Sequence, residues 1–176
     1  DNGYVSIDAA HFARKQENKD VKIQIIPNLG CEGYSVQMGN ALDKPQRTNR
    51  REAPYVEYEF YAFDRGPVDV YTYVLPTFTL SKETTFSGHE STNSETQYGV
   101  AIDQVPIKFE STSSTEYASE WYKNCLSNAR INRTHLYIDK PGLHTLRIVC
   151  GTPGLILQKA VIDFGGLKHS YMGPQP

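Results

Sequence analysis

The chain has 176 residues and a nearly balanced charge, with 18 Lys and Arg residues against 20 Asp and Glu residues. A chain of this length fits one domain that buries about two thirds of its unfolded surface. The balanced charge provides no attraction for nucleic acid, and no apolar run approaches the ~20 residues that span a bilayer, so we expect neither a nucleic-acid partner nor a membrane span.

Apolar residues recur at every second position along most of the chain, which is the pattern of half-buried β-strands. The predicted strands are, in chain order, Val5–Ala9, Lys22–Ile26, Tyr34–Met38, Tyr55–Phe63, Val68–Leu75, Tyr98–Ile102, Ile107–Glu110, Arg130–Ile138, His144–Cys150 and Leu155–Phe164. Many short strands with regular turn signals predict an all-β fold, an antiparallel β-sandwich of jelly-roll type. The residues expected to face its core are Val56, Tyr58, Phe60, Val70, Val74, Leu146, Ile148 and Val161.

Turn residues separate these strands at defined places. Asp64-Arg-Gly-Pro67 predicts a hairpin between Tyr55–Phe63 and Val68–Leu75. Pro141-Gly142 and Pro153-Gly154 predict the turns between the last three strands.

Two segments interrupt the strand pattern. Residues 81–96 form a polar run rich in Ser, Thr and Glu, long enough to be a functional or mobile loop. Residues 116–128 predict a short helix capped by Ser114 or Thr115, with an irregular segment as the alternative.

The three cysteines do not form a metal-binding pattern. Cys31, Cys125 and Cys150 are an odd set without a CxxC spacing, which argues against zinc. One disulfide and buried free thiols both remain open, and Cys150 is expected to be a small core residue at the end of a strand. The sequence predicts no cofactor.

Catalytic patterns are weak. Glu57 and Glu59 lie on one strand face about 7 Å apart, which suits a retaining glycosidase, but such pairs are common solvated charges on exposed strands. The five His residues are scattered, and His144 is expected to be a satisfied edge residue. Without an HExxH or GxSxG motif, we predict no catalytic residue and no enzyme activity of this chain alone.

Five segments carry a family resemblance: Ile23–Gly30, Pro54–Tyr61, Gly66–Thr77, Gly142–Ile148 and the tail Leu157–Pro176 with its Gly-Gly-Leu-Lys motif. They resemble the C-terminal domain of family 115 glycoside hydrolases, which remove glucuronic acid from xylan. The resemblance implies that residues 1–176 are a single accessory domain excised from a larger polysaccharide-degrading enzyme. Its expected partners are the upstream catalytic domains and a xylan-type plant polysaccharide or oligosaccharide. The implied location is secreted, periplasmic or at the cell surface of a bacterium or fungus.

Val5–Phe12 and Pro141–Leu146 carry a second, looser resemblance. They are similar to the opening and penultimate strands of family 6 and family 35 carbohydrate-binding modules. Those modules are glycan-binding β-sandwiches that typically hold a structural calcium. Here Ala10 and Lys159 stand where acids would be expected, so Asp8 and Asp163 are interpreted as ordinary strand-end acids, and no metal is predicted.

Four residues are the candidate ligand-binding site. In the family 6 modules an aromatic residue from each of two regions lines a cleft, and the matching regions here hold Tyr34 and the run Trp121, Tyr122 and Asn124. Residues 81–96 could form a rim. The alternative is that the single Trp anchors the core. Tyr71 and Tyr73 form either a structural aromatic ladder or a face for a partner.

Three functions follow from this reading. The first is an accessory domain of a family 115-type glucuronidase, and the second is a carbohydrate-binding module attached to another enzyme or standing alone. A self-contained hydrolase ranks last. An exposed apolar surface would favour the first function, and an exposed aromatic cleft would favour the second.

Overall fold

A computed structural model of the chain describes residues 3–30, 33–46, 52–77, 97–104, 106–112, 119–168, 170 and 173–175. The described residues form eleven β-strands and one α-helix. These are β1 (Tyr4–Asp8), β2 (Arg14–Gln16), β3 (Ile23–Pro27), β4 (Tyr34–Met38), β5 (Tyr55–Ala62), β6 (Gly66–Val74), β7 (Gln97–Ile102), β8 (Lys108–Ser111), α1 (Ser119–Leu126), β9 (Arg130–Ile138), β10 (Gly142–Cys150) and β11 (Leu155–Asp163).

The strands of the described residues lie in two antiparallel sheets. The six-stranded sheet has the order β3-β4-β11-β6-β9, and β1 pairs with β11 beside β4. The five-stranded sheet has the order β2-β5-β10-β7-β8. The predicted antiparallel β-sandwich is therefore confirmed, and all ten predicted strands are present within two residues of their expected ends. The sequence analysis missed β2, because its residues Arg14-Lys-Gln16 are all polar.

The hydrophobic core lies between the two sheets. Seven of the eight residues expected to face inward do so: Val56, Tyr58, Phe60, Val70, Val74, Leu146 and Ile148. Cys150 is also a fully buried core residue, as expected, and burial raises the pKa of its thiol to about 12. Neither Cys150 nor Cys125 forms a disulfide, whereas Cys31 lies outside the described residues.

Val161 is the exception, because β11 contains a bulge. The pairing with β6 changes register between Leu157 and Lys159. Leu157 faces the core before the bulge, and Ala160 and Ile162 face the core after it. Since one extra residue reverses the two faces of a strand, Val161 is buried on the outer side of the sheet.

The predicted hairpin between β5 and β6 is wrong. β5 pairs with β2 and β10 in one sheet, whereas β6 pairs with β9 and β11 in the other. The turn after Ala62 therefore carries the chain from one sheet to the opposite one. Turn residues signal a reversal of direction, but the alternating pattern of the next strand fits either sheet, because both sheets turn one face to the same core.

The chain's own tail covers part of the outer face of the six-stranded sheet. Tyr71, Tyr73 and Val161 form a second buried cluster there, against which Leu167 packs. The Lys159 ammonium is fully buried, donates to the Pro174 carbonyl at 2.9 Å and lies 4.9 Å from the centre of the Tyr73 ring. Tyr71 and Tyr73 therefore have a structural role beneath this tail.

His144 is satisfied, but it does not lie on an edge strand. β10 is the central strand of the five-stranded sheet, and the His144 side chain is almost fully buried there. Its Nδ1 lies 2.6 Å from Asp103 Oδ2, and its Nε2 lies 2.8 Å from the Lys140 carbonyl. Both ring nitrogens are thus occupied, which gives His144 a structural role.

Two tyrosine hydroxyls are buried between the sheets. Tyr58 Oη donates to the Ala9 carbonyl at 2.8 Å, and Tyr98 Oη accepts from Asn132 Nδ2 at 2.9 Å. Burial raises the pKa of both phenols above the ordinary tyrosine value, and for Tyr58 the nearby Asp8 carboxylate adds to the effect. Both side chains therefore stay neutral in the folded protein at pH values where an unfolded chain begins to ionise.

Phe60→Ala tests the core assignment. Phe60 is 4% exposed, so its truncation should lower the free energy of unfolding by about 3–5 kcal/mol in a denaturant titration. Phe63→Ala is the matched control, since Phe63 is 74% exposed and its truncation should cost under about 0.5 kcal/mol. Equal losses for the two variants would contradict the arrangement.

Tyr58→Phe tests the buried phenol through the pH dependence of stability. Because the folded pKa of Tyr58 lies above the unfolded value of about 10, its stabilisation is fully present below about pH 10 and is lost as the pH rises further. Removing the hydroxyl should reduce the fall of the unfolding free energy above pH 10 by about 1.4 kcal/mol per pH unit. Val56→Ala, which removes no titratable group, should leave the slope unchanged. A Tyr58→Phe slope identical to that of the parent chain would show that the phenol is not buried.

Candidate functional site

Helix α1 carries three of the four candidate residues, and local hydrogen bonds define its end. Ser127 Oγ donates to the carbonyls of Lys123 and Asn124, and the Ala129 amide also donates to the Asn124 carbonyl. Asn128 then adopts a left-handed conformation (φ 51°), which Asn tolerates better than most residues at the end of a helix. The predicted helix is confirmed over Ser119–Leu126, whereas Ser114 and Thr115 lie outside the described residues.

The candidate residues point to two sides of this helix. Residues three or four apart share a helix face, so Trp121 lies on the same side as Asn124, and Tyr122 lies on the same side as Leu126. Consecutive helix residues are about 100° apart around the axis, so the Trp121 and Tyr122 side chains point in different directions and do not form one flat surface. No helix residue is fully buried: Trp121 is half-buried and Tyr122 is 53% exposed. Among the described residues, Trp121 belongs to neither buried cluster, although its side chain is half-buried.

Tyr34 begins β4 and is 50% exposed. The loop before it is closed by the Asn28 amide, which donates to the Gly33 carbonyl at 2.6 Å. Ser35 Oγ also donates to the Leu29 carbonyl at 2.8 Å, which fixes the base of the loop. Tyr34 is therefore presented to solvent from a loop with defined hydrogen bonds.

Gln158, the extra residue of the β11 bulge, connects this loop to the end of the helix. Its side chain is fully buried, and Nε2 donates to the Asn128 carbonyl at 2.7 Å. Its Oε1 lies against Gly30, where an added Cβ would come within 2.8 Å. The two regions expected to form the site thus meet at a residue that the sequence analysis did not select. The sequence did contain one indication of a special role for Gln158, because Gln158 and Lys159 are polar residues within an otherwise apolar strand.

Asn124 has a buried side-chain nitrogen, Nδ2, for which the described residues supply no hydrogen-bond partner. An amide in this state costs about 1–3 kcal/mol unless another group accepts its hydrogen. The possible rim at residues 81–96 lies outside the described residues.

Glu57 is not the solvated charge that its exposed strand position led us to expect. Its side chain is 3% exposed, and Arg14 Nε contacts Oε2 at 2.9 Å while Arg147 Nη2 contacts Oε1 at 2.8 Å. Glu59, in contrast, is 43% exposed, and its Oε1 lies 3.5 Å from Arg14 Nη2. Since two guanidinium groups hold the Glu57 carboxylate, Glu57 has a structural role and is poorly placed to attack a substrate.

The calcium position known from the related modules carries a different set of groups here. The described residues contain no cluster of three or more His, Cys, Asp or Glu side chains suited to a metal. Asp8 Oδ1 accepts from the Ala10 amide at 2.7 Å, and Asp163 Oδ1 accepts from the Gly165 and Leu167 amides. Lys159, a fully buried basic residue, pairs directly opposite Asp8 in the sheet. This donor set does not fit calcium.

A polar groove of about 1050 Å³ lies between the β2–β3 and β4–β5 connections. Its amide side chains already bond to one another, with Asn18 Nδ2 donating to Gln46 Oε1 at 2.8 Å. Gln16 Nε2 donates to the Ala53 carbonyl at 3.0 Å. The groove residues include no aromatic ring for stacking on a sugar, so helix α1 remains the better candidate within the described part of the chain.

Solved structures with the same fold include carbohydrate-binding modules. A family 35 module from Clostridium thermocellum matches with a TM-score of 0.55 and 13% identity, over 90% of this chain and 98% of the module. A family 6 module from Cellvibrio mixtus lichenase 5A, in complex with cellotriose, matches with a TM-score of 0.53 and 10% identity, over 90% and 95% of the two chains. The fold is thus that of a carbohydrate-binding-module-like β-sandwich.

The family follows from the sequence match. Residues 1–176 match the glycosyl hydrolase family 115 C-terminal domain, and the chain belongs to this family. A family 115 4-O-methyl-alpha-glucuronidase with specificity for decorated arabinogalactans matches with a TM-score of 0.68 and 16% identity, over 90% of this chain. The chain spans only 17% of that enzyme's length. A comparison with curated protein sequences gives no match. No helix in the described ranges has the length and apolar character needed to cross a bilayer.

Gln158→Leu tests whether Gln158 holds the site together. The variant removes the bond to the Asn128 carbonyl and leaves that acceptor unpaired, so it should cost about 1–3 kcal/mol of unfolding free energy. Gln37→Leu is the matched control on neighbouring β4, where a half-buried amide donates to the Gly39 carbonyl and its loss should cost about 1 kcal/mol or less. Denaturant titration of both variants distinguishes the two roles. A Gln158→Leu loss no larger than that of Gln37→Leu would refute the bridging role.

Proposed function

We propose that this chain is a non-catalytic accessory domain of a family 115-type glycoside hydrolase and that it binds plant polysaccharide at helix α1 and Tyr34. The observation that carries the proposal is the placement of Trp121, Tyr122 and Asn124 on a helix without a buried residue, outside both apolar clusters. Tyr122 on this helix and Tyr34 on β4 are 53% and 50% exposed, so both rings can contact a ligand.

The chemistry of these groups suits a sugar. The apolar C–H face of a pyranose packs on an aromatic ring, while its hydroxyls need amide or charged partners. Trp121 supplies a ring and Asn124 an amide on the same helix face, and the Tyr34 loop reaches the helix end through Gln158. The arrangement combines rigid aromatic contacts with an unused hydrogen-bond donor.

The proposed ligand is a xylan-type polysaccharide that carries glucuronic acid. The family resemblance points to glucuronoxylan, whereas the matched family 115 enzyme has specificity for decorated arabinogalactans. Both polymers are therefore ligands to test. A domain that associates with such polymers would work outside the cytoplasm, so we propose a secreted, periplasmic or cell-surface location.

A carbohydrate-binding module that stands alone or belongs to another enzyme is the second candidate. The match to the family 35 module covers 98% of that module, so its whole fold has a counterpart in this chain. This alternative shares the proposed binding site and differs only in what precedes the domain.

Trp121→Ala tests glycan binding. One ring contact and a few amide hydrogen bonds, offset by the cost of association, correspond to dissociation constants of about 10 μM to 1 mM. Calorimetry with glucuronoxylan and arabinogalactan oligosaccharides should detect such binding, and Trp121→Ala should abolish it with little change in melting temperature. Tyr137→Ala, at a 58% exposed ring on β9, should bind as the parent chain does.

Two outcomes would contradict this proposal. If Trp121→Ala binds normally, the site lies elsewhere on the domain. If the isolated chain releases 4-O-methylglucuronic acid and Glu57→Gln abolishes the release, the domain is catalytic.

A further inference from the structure

Arg130 begins β9 shortly after the end of helix α1, and a chain of buried hydrogen bonds fixes its guanidinium group. Arg130 Nε donates to Asn132 Oδ1 at 3.1 Å. Asn132 is buried, and its Nδ2 donates to Tyr98 Oη at 2.9 Å and to the Ser111 carbonyl at 2.8 Å. Both ends of the Asn132 amide are thus occupied, so the guanidinium is held by a support that is anchored in both sheets.

The guanidinium group of Arg130 reaches back to helix α1. Arg130 Nη1 lies 3.3 Å from Oε1 of Glu120, which is in the first turn of the helix. Glu120 directly precedes Trp121, and it shares a helix face with Asn124 because the two residues are one turn apart. Arg130 therefore places a positive charge against the helix that carries three of the four residues of the proposed glycan site.

The carboxylate of Glu120 is a weakly held partner of Arg130. The Glu120 side chain is 61% exposed, whereas that of Arg130 is 16% exposed. An ion pair with one largely exposed partner is screened by water and salt, so it adds little to stability. Because Glu120 is so exposed, another carboxylate can approach Arg130 from solvent and replace it without disturbing the core.

Arg147 provides the contrasting case of a guanidinium group with a permanent partner. Its Nε and Nη2 both donate to Glu57 Oε1, at 3.0 and 2.8 Å. The Glu57 side chain is 3% exposed and is also held by Arg14. A dissolved carboxylate does not readily displace an acid that is buried and doubly held, so Arg147 has a structural role where Arg130 has an exchangeable partner.

We propose that Arg130 binds the carboxylate of an acidic sugar unit and that Glu120 occupies this position until the sugar binds. The proposal rests on the glycan site proposed above and names the chemical group that this site selects. Hydrogen bonds from a guanidinium group to a carboxylate are about twice as strong as those between uncharged groups. A glucuronic acid unit has such a carboxylate, whereas a neutral sugar offers only hydroxyls.

Calorimetry with a matched pair of oligosaccharides tests this selection. One is a xylo-oligosaccharide that bears glucuronic acid, and the other is its methyl ester, which has nearly the same shape but no charge. The parent chain should bind the acid at least about tenfold more tightly than the ester, because only the acid forms charge-assisted hydrogen bonds. Raising the salt concentration from about 0.05 M to about 0.5 M should reduce this difference, because salt screens the charge pair.

Variants at the ion pair should change the affinity in opposite directions. Arg130→Gln should lower the affinity for the acid about tenfold, to that for the ester, and leave the affinity for the ester unchanged. Glu120→Gln should raise the affinity for the acid at least about threefold, because it removes the competing carboxylate. The matched controls are Arg133→Gln, at a 54% exposed side chain on the outer face of β9, and Glu59→Gln, on the five-stranded sheet. Both controls should bind the two oligosaccharides as the parent chain does.

Two further measurements separate binding from folding. Glu120→Gln changes an exposed helix residue, so its circular dichroism and melting temperature should match those of the parent chain. This variant therefore decides the question even where Arg130→Gln, which loses its bond to Asn132, does not fold. In a nuclear magnetic resonance titration, the Arg130 Nε–H signal should shift with the acid and remain in place with the ester.

The outcomes distinguish this proposal from the glycan site on which it rests. Equal affinities of the parent chain for acid and ester, or an unchanged affinity of Glu120→Gln for the acid, would overturn the role of Arg130 and leave the glycan site in place. Selection of the acid that persists in Arg130→Gln would assign the carboxylate to another group and overturn it as well. Binding of neither oligosaccharide would remove the glycan site and this proposal together.

Discussion

A one-residue bulge in β11 connects the core, the outer face and the candidate site. Strict alternation from Leu155 and Leu157 would place Lys159 between the two sheets. Burying an ammonium in an apolar core costs several kcal/mol, so the strand inserts an extra residue and turns Lys159 outward. Outside, the ammonium has the Pro174 carbonyl and the Tyr73 ring as partners. The same bulge directs Gln158 towards Asn128 and Gly30.

The two ends and faces of the sandwich consequently have different roles. On the outer face of the six-stranded sheet, Tyr71, Tyr73 and Val161 are buried beneath the chain's own tail. On the outer face of the five-stranded sheet, Glu57 holds three neighbouring strands together through Arg14 and Arg147. Helix α1, which has no fully buried residue, carries the ring and the amide of the proposed glycan site.

The strands were predictable because alternation reports burial locally. Arg130–Ile138 alternates along its whole length, and the structure reproduces its predicted ends. The sheet assignment was not predictable in this way, because the pattern of β6 is the same whether it follows β5 in one sheet or crosses to the other. Val161 was predicted to face the core because it lies four residues after Leu157, and alternation puts such residues on the same face. The bulge between them reverses the faces. Lys159 lies at an alternating position between Leu157 and Val161. A charged residue at a position expected to face the core indicates that the register of the strand changes.

The candidate site was predictable only in part. The resemblance selected Tyr34, Trp121, Tyr122 and Asn124, and the structure places three of these on one helix and the fourth on a loop that reaches the helix end through Gln158. Helix geometry sets Tyr122 about 100° from Trp121, which a list of residues does not reveal. The role of Gln158 could not be predicted, because it depends on contacts with two loops that are distant in sequence.

The most direct test of the account is a nuclear magnetic resonance titration of the nitrogen-15-labelled chain with a glucuronoxylan oligosaccharide. The account predicts saturable shifts of the Trp121 indole N–H and of the Asn124 and Gln158 side-chain amides, with a dissociation constant of about 10 μM to 1 mM. The Leu143 amide, at the start of β10 in the five-stranded sheet, should not move. Shifts confined to Leu143 and its neighbours, or no shift at millimolar oligosaccharide, would contradict the assignment of helix α1 as a glycan site.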